Sequence, residues 1–217
     1  LFCLLLAGYS KAIEQSEPPH HRKLMTMELI FASGNAHKIE ELNDKSPGHI
    51  KVISMRDRGF DGEIAEPGET LEENARIKAE FIYDLFRQNV FADDSGLEID
   101  ALNGAPGVYS ARYAGPGCTF DDNNKKVLAE LEGVANRHAR FRTVIHLILD
   151  GEHYSFEGAV NGTIIEQFKG TDGFGYDPIF LPEGQKRTFA EMTLAEKNSI
   201  SHRAQAVEKL ILFLSSR

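Results

Sequence analysis

Glu28-Leu29-Ile30-Phe31-Ala32-Ser33-Gly34-Asn35-Ala36-His37-Lys38 decides the fold class. The apolar run is too short for a buried helix and suits a buried strand, Gly34-Asn35 ends it, and Ala36 to Leu42 then reads as helix. Strand, turn and helix in that order open an α/β sheet. Pro47-Gly48 stops the helix, Ile50-Lys51-Val52-Ile53 predicts a second strand, and a loop rich in acid and glycine runs from Asp57 to Glu69.

Thr70 and Glu73 have the spacing of a capping box, in which each side chain satisfies the other's backbone donor. Leu71, Ala75, Ala79, Ile82 and Phe86 follow at steps of three and four, so a helix with one apolar face is expected here. Val90-Phe91-Ala92 predicts a buried strand that delivers Asp93-Asp94-Ser95-Gly96 at its C-terminal end, where ligands sit in open α/β sheets. Asn103 to Gly107 is a turn cluster, and Phe120 to Glu132 reads as helix. Phe141, Thr143, Ile145, Leu147 and Leu149 alternate with mostly polar residues; His153 to Val160 and Gly162 to Phe168 follow turns at Asp150-Gly151 and Asn161-Gly162. They predict an antiparallel meander. A last helix is expected from Ser199 to Leu214, with Ala204, Val207, Leu210, Ile211 and Leu214 as its buried stripe.

The chain has 217 residues, 41% of them hydrophobic and 26% charged, with a mean hydropathy of -0.32. That is enough for one α/β unit with a core of its own. The net charge of -9 argues against a nucleic-acid surface, which needs excess Lys and Arg to meet many phosphates. Cys3 and Cys118 form no metal or disulfide pattern, so a reducing cytoplasm is the simplest compartment. The apolar run Leu1 to Ala7 is shorter than the roughly 20 residues that span a bilayer. Residues 1–26 are read as an N-terminal extension and 27–217 as a single working domain.

Three constellations suit chemistry on a nucleotide. In Ser33-Gly34-Asn35-Ala36-His37-Lys38 a glycine lets backbone come close while a helix begins with open N–H groups, which suits phosphate. Lys38 adds charge one turn in. Asp94, with Asp93, Ser95 and the acids Glu63, Glu66 and Glu69, offers hard oxygens for Mg²⁺ and a base for water. Gly173-Phe174-Gly175-Tyr176-Asp177-Pro178, with Lys197, His202 and Arg203, offers aromatic faces for a base and cations for its edge. Each has a blander reading: an ordinary turn, a solvated acidic loop, aromatics packed in a core. Lys78 reads by default as a solvated lysine on a helix face. His138, His146 and His153 show no second ligand pattern, and no zinc site is expected.

Taken together the motifs resemble the inosine triphosphate pyrophosphatase family, also called Ham1-like. The resemblance spans about residues 27 to 214. It rests on Ala32 to Lys38, Glu73-Asn74-Ala75-Arg76-Ile77-Lys78-Ala79, Ala92 to Leu97, Gly104-Ala105-Pro106-Gly107-Val108-Tyr109-Ser110-Ala111-Arg112, Gly173 to Pro178 and Glu196-Lys197-Asn198-Ser199-Ile200-Ser201-His202-Arg203. It implies an elongated two-lobed α/β fold with a central mixed sheet, a nucleotide cleft between the lobes, and a homodimer. It also implies hydrolysis of inosine and xanthosine triphosphates and their deoxy forms to monophosphate and pyrophosphate.

Under that resemblance Ser33, Gly34, Asn35, Ala36, His37, Lys38 and Lys78 hold the triphosphate. Asp94 is proton acceptor and Mg²⁺ ligand, Glu66 is the second metal carboxylate, and Ser95 touches substrate. Phe174, Gly175, Tyr176, Asp177, Lys197, His202 and Arg203 form the base pocket. Joint presence of Asp94 and the Glu66 loop favours an enzyme over a silent nucleotide sensor. The extension has no counterpart in the family pattern, and Lys38 to Val52 is slightly short for the family's first helix and loop.

Overall fold

The structure is a computed structural model that describes residues 27–34, 42, 48 and 50–217. The expected first helix therefore lies outside the described residues except for Leu42, which is helical and buried.

Six strands form one mixed sheet in the order β2-β1-β3-β4-β5-β6. β1 (Met27–Phe31) lies parallel to both β2 (Ile50–Ser54) and β3 (Val90–Ile99). β4 (His138–Leu149), β5 (Glu152–Ile164) and β6 (Phe180–Pro182) continue antiparallel. β1 touches β3 only at Val90 and Phe91, whereas β3 pairs with β4 along its whole length. The sheet thus changes from parallel to antiparallel pairing beside Asp93 and Asp94.

Helix α1 (Leu71–Phe86) covers one face of this sheet, with Leu71, Ala75, Ala79 and Ile82 set against Ile30, Val90, Ala92, Val144 and Ile148. Full burial of a leucine or isoleucine stabilises by about 1.5–3 kcal/mol. The Thr70–Glu73 capping box that starts this helix is formed. Helix α4 (His202–Ser215) covers the other face, where Ala206, Val207, Leu210 and Leu214 pack on Phe31, Phe91, Ile145 and Leu147. A separate core gathers around the far ends of β3 and β4, where Leu97, Ile99 and Phe141 meet Val127 and Leu131 from the region of α2 (Phe120–Glu130) and Phe180 and Phe189. The long β3-β4-β5 ribbon connects the cores on the two faces with this separate one.

Four expectations change. Asp93 to Gly96 do not follow β3 but lie inside it, because β4 keeps pairing with them after β1 has ended. Asn161-Gly162 is not a turn: β5 runs straight through it, since Gly162 pairs with Ala139 on one side and Pro182 on the other. The third meander strand is Phe180–Pro182 rather than the predicted segment to Phe168. Finally, the terminal helix breaks at Ser201, whose extended backbone caps α4 after a short helix α3 (Leu194–Ile200).

Candidate active site

Strand alternation sorts the two adjacent aspartates. Successive side chains on a strand point to opposite faces. Asp94 therefore faces α1, where Lys78 Nζ donates to its Oδ1 at 3.3 Å and Asn74 Nδ2 donates to its Oδ2 at 3.3 Å. Asp93 faces α4, where Arg203 Nε lies 3.5 Å from its Oδ2. The pair seen in sequence is split across the sheet, with Asp94 on the α1 side and Asp93 on the α4 side.

Lys78 is not the solvated lysine its helical position suggests, being only 7% exposed. Its Nζ also donates to Glu66 Oε1 at 2.6 Å, so the ammonium bridges the loop acid and the strand acid. Burial works to lower the pKa of Lys78, but Asp94, Glu66 and Asp93 outweigh it and hold the pKa above its ordinary value. Two carboxylates on one ammonium leave a local negative excess. Hard oxygens converging in this way suit Mg²⁺ completed by water and phosphate oxygens.

At the other end Asp177 is 2% exposed and accepts from Lys197 Nζ at 2.7 Å and from the Phe174 N–H at 2.9 Å. Burial pushes its carboxyl above the ordinary range, against the pull of Lys197, the Phe174 N–H and Arg203. Lys197 Nζ lies 4.1 Å from the centroid of the Phe174 ring and the Arg203 guanidinium 5.6 Å from it. His202 stacks on Phe141, with centroids 4.8 Å apart and planes within 8°. α4 can start so close to the sheet because residue 158 is glycine: a Cβ there would come within 2.0 Å of the His202 carbonyl oxygen.

These groups share a cleft. A cavity of about 250 Å³ is lined by Glu66, Lys78, Asp94 and Ser95 at one end and by Phe174 to Asp177, Lys197, His202 and Arg203 at the other. A more open cavity of about 660 Å³ shares Glu66 and Lys78 with it and continues to Ser33, Gly34, Arg56 and Arg112. Of the residues singled out in sequence, Asn35, Ala36, His37 and Lys38 lie outside the described residues. The other residues that the resemblance assigns to the site, Ser33, Gly34, Glu66, Lys78, Asp94, Ser95, Phe174 to Asp177, Lys197, His202 and Arg203, line one or both cavities, whereas Asp93 and Glu69 line neither. A larger cavity of about 770 Å³, lined by Glu98, His138, Arg140 and Gln185 among others, lies away from these groups at the far ends of β3, β4 and β5.

Several contacts hold the cleft in shape. Tyr176 is buried, and its hydroxyl donates to the Ser110 carbonyl at 2.9 Å; it anchors its loop. Asn124 Nδ2 donates to the Gly175 carbonyl at 2.7 Å, holding the same loop from α2. Gly96 admits the Gly107 carbonyl to within 2.5 Å of where a Cβ would stand, which lets the turn segment 107–112 close over β3. Ser95 and Thr143 share a hydroxyl hydrogen bond at 2.8 Å across β3 and β4. Away from the cleft, His146 Nε2 and His153 Nδ1 lie 2.9 Å apart across the β4-β5 hairpin, a pairing that sequence spacing does not show.

Residues 29–213 match the Ham1 family. A dITP/XTP pyrophosphatase of Flavobacterium johnsoniae is 48% identical over 190 residues, 88% of this chain and 99% of that protein. One from Bacillus licheniformis is 48% identical over 191 residues, covering 86% and 97%. Among solved structures, a HAM1 protein from Coxiella burnetii matches with a TM-score of 0.83 and 39% identity over 88% of this chain and 100% of that one. The Staphylococcus aureus Ham1 protein gives 0.82 and 40% over 87% and 98%. With the family's motifs gathered in one cleft and the match running through the whole sheet, the chain belongs to the Ham1 family.

Proposed function

We propose that this chain is a nucleoside triphosphate pyrophosphatase that hydrolyses inosine and xanthosine triphosphates and their deoxy forms to the monophosphate and pyrophosphate. The carrying observation is one cleft with an acid pair around Lys78 at one end and Phe174 with cations at the other. The names of the close relatives, which the chain covers almost completely, point the same way. The catalytic unit is residues 27–217.

The base sits against Phe174 with its six-position facing Lys197, His202 and Arg203. Hypoxanthine and xanthine present a keto oxygen there, an acceptor, and cationic or N–H donors satisfy it. Adenine presents an amino donor instead. Leaving such a buried group unpaired costs about 1–3 kcal/mol, so adenosine triphosphate is disfavoured. The triphosphate runs past Lys78 towards Ser33, Gly34, Asn35, Ala36, His37 and Lys38, and Ser95 touches the substrate between the two ends.

Asp94 takes a proton from water as the water oxygen bonds to the α-phosphorus and the bridge to the β-phosphate breaks. Lys78 stabilises the charge that moves onto pyrophosphate. Glu66 and Asp94 would hold Mg²⁺, which when bound supplies further neutralisation of phosphate charge. The protein acts as a homodimer in the cytoplasm, and among the described residues no helix is long and apolar enough to cross a membrane.

The test is pyrophosphate release from inosine, xanthosine, guanosine and adenosine triphosphates, each with and without Mg²⁺. Metal-dependent release that strongly favours inosine and xanthosine is expected. A folded sample that binds these nucleotides but releases nothing would leave a sensor as the better reading.

A further inference from the structure

We infer that Asn74 is a positioning residue that latches the Glu66 loop to Asp94, an inference that rests on the function proposed above. Asn74 is fully buried on α1, between the loop and β3. Its Oδ1 accepts from the Gly68 N–H at 2.8 Å, and its Nδ2 donates to Asp94 Oδ2 at 3.3 Å. One side-chain amide thus holds both the backbone two residues beyond Glu66 and the carboxylate opposite Glu66 across Lys78.

An amide suits the place. An acceptor alone secures the loop, and a donor alone orients Asp94; the amide carries acceptor and donor on separate atoms and so reaches both. The contact is close-packed, since a Cβ at Gly68 would stand 2.7 Å from Asn74 Oδ1. The donated hydrogen bond fixes the plane of the Asp94 carboxylate. The latch fixes where Glu66 stands relative to it. Groups that orient a metal-binding carboxylate in this way typically contribute about 10–100-fold to metal affinity or activity.

Two substitutions separate the two halves of this role. Asn74→Asp keeps an acceptor for Gly68 but replaces the donor with an oxygen facing Asp94. Asn74→Ala removes both contacts. Hydrogen exchange at the Gly68 amide of the nucleotide-free chain reads the latch: exchange about tenfold or more faster in Asn74→Ala is expected, with Asn74→Asp close to the parent. Turnover of inosine triphosphate reads Asp94: kcat should fall about tenfold or more in Asn74→Asp, whose added oxygen repels the Asp94 carboxylate, with KM changed by less than about threefold. Urea unfolding confirms that each variant is folded.

Unchanged Gly68 exchange in Asn74→Ala would overturn the latch. An unchanged kcat in a folded Asn74→Asp would overturn the positioning of Asp94. A parent protein that releases no pyrophosphate would instead overturn the proposed function, while the exchange measurement still decides the latch.

Discussion

Two buried lysines anchor the two ends of the cleft, and their surroundings differ in charge balance. Lys78 bridges Glu66 and Asp94, with Asp93 adding further negative potential, so its end carries more anion than cation. Lys197 meets the single carboxylate of Asp177, with Arg203 close enough to act on the same group, so its end carries no such excess. Under the proposed function the first end suits a further cation, and the second suits an electron-rich edge with no carboxylate to spare for a metal. The same kind of pair would then serve opposite ligands, with the number of carboxylates around each ammonium as the deciding quantity.

The sharpest way to break that contrast is at the acid end. Asp94→Asn should lower kcat by about 10²–10⁴-fold, the usual range for a lost general base, while nucleotide binding measured calorimetrically persists. Binding lost together with turnover would make Asp94 a binding residue instead. Lys78→Met should lower kcat by about 10²–10³-fold, as expected when charge on the leaving group goes unstabilised. It should also tighten binding of Mg²⁺ alone, because the two carboxylates then repel each other with nothing between them. Unchanged or weaker Mg²⁺ binding in that variant would contradict the anion-excess account.

Sequence showed the base of this contrast but not its geometry. The strand and turn at Leu29 to Gly34, the capped helix α1 and the alternation in β4 were readable because each depends on local spacing. The break at Ser201 and the run of β5 through Gly162 were not, because a partner strand or a capping side chain decides them. Within the candidate site, Asp94, the acids of the 63–69 loop and the Phe174 loop were readable by residue type, while Glu66 was picked out of its loop only by the family resemblance. Lys78 did not: its place on the helix fits a solvated lysine, and only the fold of the Glu66 loop over α1 buries it. Asp93 misled in the other direction, since adjacency in sequence becomes opposition across a strand. Asn74, Asn124 and Ser110 work through backbone contacts to distant segments, and nothing in their immediate sequence signals that.

At the balanced end, Lys197→Met should lower stability as well as remove a donor to the base. Breaking a buried ion pair by removing one partner costs about 3–5 kcal/mol when the other stays charged. Asp177 can escape by taking up a proton, and burial already holds its pKa above the ordinary value. A raised carboxyl gives a contribution that is fully present below the ordinary carboxylate range and is lost as pH rises through the folded value. The deficit of Lys197→Met against the parent should therefore be smaller at pH 5 than at pH 8, as read from urea midpoints. A deficit that grows towards acid would mean that Asp177 is held as an anion by its other contacts.

The smallest effect is expected beside Lys197, on the helix that carries it. Glu196 completes the capping box with Thr193 and pairs with Arg187 at 2.6 Å, and these contacts lower its pKa to about 2. The side chain is exposed, so solvent screens the pair and the effect on stability is slight. A depressed carboxyl contributes above its ordinary pKa and loses that contribution as pH falls through the folded value. Glu196→Gln should thus lower the melting temperature by no more than a few degrees at pH 7, and the gap should close as pH falls from about 4 to about 2. Base selectivity should be unmoved, because the cap sets the start of α3 while Asp177 holds Lys197 itself. A shift in the preference for inosine over adenosine triphosphate would show instead that the position of Lys197 depends on the helix start, and that the balanced end is set by α3 rather than by its buried ion pair.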